Sequence, residues 1–73
     1  MWFDGQKLRE ERLAKGLTQE QLADMVGVEV CTIRNWERGR SNPQSFSLLH
    51  QTAESLGRLP EDFVIHEKWR KER

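Results

Sequence analysis

Apolar residues recur along the chain at helical spacing, and a glycine stands near the end of each apolar run. The segment QKLREERLAK, residues 6–15, is rich in strong helix formers and stops at Gly16, a residue type that caps helix C-termini. Thr18 opens TQEQLADMVG with Gln21 three places on, the spacing of a capping box, and Leu22, Ala23 and Val26 share one face before Gly27. A third helix is predicted from about Glu29 to Arg38, with Gly39 at its end and the polar loop RSNPQ beyond. Ser45 is placed to cap a fourth, in which Phe46, Leu49, Ala53 and Leu56 repeat at i, i+3, i+7 and i+10 before Gly57. Pro60, Glu61 and Asp62 then suit the first turn of a short fifth helix leading into the charged stretch HEKWRKER. Strand-like alternation and internal repeats are absent from the sequence. The expected fold is all-α, a compact bundle of about five helices forming one domain over residues 1–73, with a core at about 5–65 and a charged tail at 66–73.

Helices two and three are joined by a short turn, so they must cross closely, which needs a small side chain on the first and a permissive residue at the turn. Ala23 and Gly27 supply these. Gly27 can take the left-handed conformation that a residue with a Cβ resists, and Val28 beside it can drop into the core. Ile33 and Trp36 close the hairpin from the third helix. Any one of these residues would suit an ordinary hairpin in a bundle, whereas the set points to a DNA-binding helix-turn-helix.

These features make the chain resemble the phage Cro and repressor type of helix-turn-helix domain, the XRE family, over roughly residues 7–64. The likeness rests on the LTQEQLA run, the Gly27 and Val28 pair, the I-x-x-W-E-R-G run at 33–39, and LHQTAESLG. It implies a lambda-repressor-like bundle whose third helix enters the major groove of double-stranded DNA, and a role in controlling transcription. It also implies a phosphate contact at the start of helix two, from Gln19 with Thr18 beside it, where free helix amides favour an anion as well. Glu29 and Val30 depart from the polar residues usual at their positions, and Thr52 from the apolar residue common at its own. These departures bear on the DNA target more than on the fold.

At about 100° per residue, an inward stripe of Ile33, Trp36 and Glu37 leaves Cys31, Arg34, Asn35 and Arg38 on the outward face. There Arg34 can donate to guanine, Asn35 can make the paired contact to adenine, and Val30 and Cys31 can pack on a thymine methyl. Glu29 falls in the first turn, where its charge suits the positive end of the helix dipole, so it is read as a capping residue. Arg38, Arg40, Ser41 and Asn42 are placed to grip phosphate from the following loop. Arg12 and Glu37 both fall on apolar stripes, four residues after Leu8 and Ile33, where unpaired charges would be costly. They are expected to pair and hold the third helix in place, a link the family resemblance also implies.

Composition changes this picture at few points. Lys and Arg number 12 against 12 Asp and Glu, so the basic signature of a nucleic-acid binder is missing from the total. RNWERGR restores it locally, with three Arg against one Glu. A single cysteine, Cys31, excludes an internal disulfide and suits a reducing, cytoplasmic setting. There is no apolar run of the roughly 20 residues that span a bilayer, so no membrane partner is expected. His50 and His66 lie far apart with one cysteine elsewhere, and neither a glycine-rich phosphate loop nor a nucleophile triad is present. Neither cofactor, metal site nor enzyme activity is expected.

Two functions remain: a sequence-specific regulator, a repressor of a phage-like, mobile-element or restriction-modification operon, and an interaction module such as an antitoxin or adaptor that binds a protein. Because one recognition helix reads few bases, a homodimer is expected. Leu59, Phe63, Val64, Ile65 and Trp69 offer an apolar surface for it, and Trp2 and Phe3 are unassigned at the other end. Alternatively, these aromatics fold back onto their own core.

Overall fold

In a computed structural model that describes residues 2–65, four α-helices follow one another: α1 at Gly5–Ala14, α2 at Gln19–Val26, α3 at Val30–Arg38 and α4 at Phe46–Ser55. Local chemistry sets most of their ends. Asp4 caps α1 by accepting from the Lys7 amide at 3.0 Å, and Thr18 and Gln21 form the complete capping box that opens α2. Ser45 caps α4 by accepting from the Leu48 amide at 3.2 Å. Gly27 ends α2 at φ 85°, inside the left-handed region, and lets the chain reverse into α3.

The core lies where the helices meet, built from Leu8, Leu22, Ala23, Val26, Ile33, Trp36, Leu49, Ala53 and Leu56, with Phe3 and Phe63 from the two ends of the described chain. Phe3 stacks on Phe63 at 6.1 Å between centroids and meets Trp36 at 6.0 Å, so both ends close over the back of α3. A Cβ at Gly5 would collide with the Trp36 carbonyl oxygen, so only glycine lets the start of α1 lie against α3 there.

Several sequence expectations are corrected. In place of a fifth α-helix there is a single 3-10 turn, Pro60–Phe63, in which Asp62 accepts from the Leu59 amide at 3.0 Å. The chain then extends and pairs back onto the beginning: Phe3 and Val64 form an antiparallel bridge, flanked by Asp4 N–H to Phe63 O at 2.7 Å and Ile65 N–H to Trp2 O at 2.8 Å. That extended pairing takes up the backbone that a longer helix would have used. Phe63 is 0% exposed, which removes it from the expected dimer surface, because burial against Phe3 satisfies it within its own chain. Phe46 is 70% exposed and not on the inner stripe, since the first residue of α4 overhangs the bundle and packs on His50. Thr52 takes an inner place instead, its hydroxyl donating to the Leu48 carbonyl at 2.7 Å so that no polar atom is left wanting. Trp69 and the charged tail lie outside the described residues.

Candidate nucleic-acid interface

A buried ion pair holds α3 in place. Arg12 grips Glu37 with both ends of its fork, Nε to Oε2 at 2.7 Å and Nη2 to Oε1 at 3.1 Å, and its Nη1 donates to the Leu17 carbonyl at 2.8 Å. The two side chains are only 7% and 3% exposed. The bidentate geometry satisfies charges that would otherwise be stranded. Gln19 joins this cluster by donating to Glu37 Oε1 at 3.2 Å. Its amide is therefore held at the start of α2 by the same carboxylate that anchors α3, which ties the expected phosphate contact to the clamp.

With Ile33 and Trp36 buried and Glu37 turned to Arg12, the outer face of α3 carries exposed Cys31 and half-buried Arg34 and Asn35. Arg38 and Arg40 are exposed at its far end. Val30 divides its surface, part of it packed on the core, so its freedom to meet a base is less than the sequence suggested. Glu29 occupies the N-cap position with an extended backbone but makes no capping hydrogen bond through its side chain. It thus takes the capping place expected of it, with its charge at the positive end of the helix, but gives no capping hydrogen bond: the extra methylene carries the carboxylate past the amides that Ser, Thr or Asp would reach.

The ends of α3 differ in charge. Glu20, Asp24 and Glu29 border a shallow groove floored by Ala23, Val28 and Val30 beside its first turn. Because Glu37 is neutralised by Arg12, the three arginines of RNWERGR face outward without the carboxylate that the sequence sets among them. Beyond α3 the C-cap Gly39 is left-handed and the Arg40 amide returns to the Asn35 carbonyl at 2.9 Å, folding the loop against α3. Ser41 is exposed on this loop, while Asn42 is half-buried. Thr18 is exposed at the opening of α2, with its hydroxyl oxygen already accepting from the Gln21 amide.

Sequence reading missed a second charge cluster. Glu11, 8% exposed, accepts from Arg58 Nε at 2.9 Å and faces Lys7 Nζ at 3.3 Å. The Arg58 hydrogen bond, reinforced by Lys7, holds its carboxyl below the ordinary value of 4.5 against the opposing effect of burial. The Lys7 contact was legible as an i, i+4 pair, whereas Arg58 stands in a loop without periodicity. Among the described residues, no three His, Cys, Asp or Glu side chains gather where they could hold a metal, and no helix is long and apolar enough to cross a membrane.

A helix-turn-helix family model matches residues 8–58. The chain belongs to that family, in its Cro and repressor (XRE) form, a family of transcription regulators. It is 45% identical over 62 residues to an HTH-type transcriptional regulator of Methanothermobacter thermautotrophicus, covering 82% of this chain and 88% of that protein. Among solved structures it is similar to the restriction-modification controller protein C.AhdI from Aeromonas hydrophila, with TM-score 0.74 and 40% identity over 80% of this chain and 86% of that one. The P22 c2 repressor in complex with a synthetic operator is also similar, with TM-score 0.76 and 28% identity over 84% and 91% of the two chains.

Proposed function

We propose that this regulator is a sequence-specific repressor of a phage-like, mobile-element or restriction-modification operon, and that it reads the major groove with α3 as a homodimer. The observation that carries this reading is the outer face of α3: Cys31, Arg34 and Asn35 stand together, Arg38 and Arg40 follow, and the clamp below neutralises the one acidic residue among them. Arg34 and Asn35 have the donors and acceptors that distinguish guanine and adenine, with Cys31 and the free part of Val30 beside them for a thymine methyl. Thr18, Gln19, Arg38, Arg40 and Ser41 are assigned to phosphate. The controller-protein and P22 repressor likenesses support an operon of this kind.

Selection of bound fragments from random duplexes tests the reading. Enrichment of a two-fold related sequence is expected, with affinity that falls steeply as salt rises because phosphate contacts release counterions. Recovery of no preferred sequence, with weak binding insensitive to salt, would reject it. The groove edged by Glu20, Asp24 and Glu29 favours one alternative, a module of the antitoxin or adaptor type that docks a protein, because carboxylates there oppose phosphate. That alternative requires the absence of sequence enrichment.

A further inference from the structure

The loop after α3 contains a buried acceptor with no partner. Asn42 Oδ1 is shielded from solvent and receives no hydrogen bond, whereas buried polar side-chain atoms are normally paired. The residue borders a groove of about 390 Å³ between α3 and the loop, whose polar lining also includes Thr32, Asn35, Ser41 and Gln44. The Arg40 amide bond to the Asn35 carbonyl fixes this loop against the turn of α3 that carries Asn35. Asn35 alone among these donors also lies on the outer face assigned to bases, and its amide has two hydrogens. Reading adenine takes one of them together with the carbonyl oxygen, and leaves the second free.

Resting on the DNA-binding reading above, we propose that Asn42 is a positioning residue for Asn35: in the complex its buried oxygen accepts the second amide hydrogen of Asn35. That bond fixes which way the Asn35 carboxamide faces. Its oxygen is then aimed at the adenine amino group and its remaining hydrogen at the ring nitrogen. Without that bond the amide can turn over, and the contact no longer favours adenine. Asn42 thus acts on specificity through Asn35 and is removed from the phosphate contacts.

Base preference is measured on duplexes carrying each base at every position of the selected site. Asn35→Ala identifies the position that Asn35 reads. Asn42→Ala is expected to reduce the adenine preference there by on the order of tenfold and to leave the other positions unchanged. In the Asn35→Ala background the same substitution should have no further effect on preference. Asn42→Asp, which keeps an acceptor oxygen, should retain the ranking of bases even though its charge weakens binding to all sites. Gln44→Ala, removing the other amide of the groove, should leave the ranking intact. Melting curves of each variant confirm folding. Equal loss of affinity on every duplex, unchanged by Asn35→Ala, would make Asn42 a phosphate contact and overturn the proposal. If the parent chain selects no duplex at all, the DNA-binding reading fails first and the proposal with it.

Discussion

Truncating Glu37 would leave the Arg12 guanidinium in a site where its side chain is 7% exposed, with only the Leu17 carbonyl to answer its charge. Glu37→Ala is therefore expected to destabilise the fold by about 3–5 kcal/mol in thermal or denaturant unfolding. Replacing both partners by apolar residues, Arg12→Met with Glu37→Leu, should recover much of that loss; a single variant that melts like the parent would show the pair to be dispensable. Glu11 gives a different dependence. Because its folded carboxyl titrates below 4.5, its stabilising contribution is present above that value and disappears as pH falls through the lower, folded value. Glu11→Gln should be less stable than the parent at neutral pH, with the difference closing in acid; a difference independent of pH would assign Glu11 a role other than its charge. The first pair was legible in the sequence because both charges fall on apolar stripes, where only a partner makes burial tolerable. The second was not, since the loop position of Arg58 carries no sign of the helix it returns to.

Short-range chemistry made most helix boundaries legible, and the places where reading failed are those decided by distant packing. Thr18 with Gln21, and Ser45, cap the helices expected of them because each oxygen reaches an amide within its own turn. Past Pro60 the same rules suggested another helix, yet pairing with Trp2 and Phe3 extends the chain, and a single bridged pair leaves no alternation in sequence. On α3 the candidate readers were legible from helical phase, whereas the setting of Asn42 depended on how its loop folds back. The start of α3 remains its weakest end, because Glu29 holds the N-cap position without a capping bond. Glu29→Ser would supply the missing acceptor and is expected to stabilise the protein by about 1 kcal/mol. It also removes a carboxylate from the groove bordered by Glu20 and Asp24, so DNA affinity should rise, most clearly at low salt. Unchanged melting together with unchanged affinity would show that Glu29 matters to neither cap nor DNA.

Over the whole molecule, on the DNA-binding reading proposed above, one α3 would make too few base contacts to define a site alone, and two copies related by a two-fold axis would place their recognition helices about 34 Å apart on one face of DNA. Burial of Phe63 and Phe3 narrows the surface available for that pairing. What remains at the joined ends is Trp2, 41% exposed, half-buried Val64 and Ile65, and Leu59, 60% exposed. The Ile65 amide bond to the Trp2 carbonyl sets those two residues side by side, so the first and last described residues contribute to one apolar area. Covering that area between two copies would add burial to a chain of 73 residues, a length at which folding removes only about 60% of the exposed surface. Ile65→Glu is the informative change, because it charges the area while leaving Phe3 and Phe63 in the core. Sedimentation at micromolar concentration should give a dimer for the parent and a monomer for Ile65→Glu. Operator binding should change with it: a dimer that neutralises four phosphates through Arg38 and Arg40 has a slope of log affinity against log salt of about −3.6, and a single copy about half of that. A parent that sediments as a monomer at all concentrations, with a salt slope unaffected by Ile65→Glu, would mean that each copy meets DNA alone.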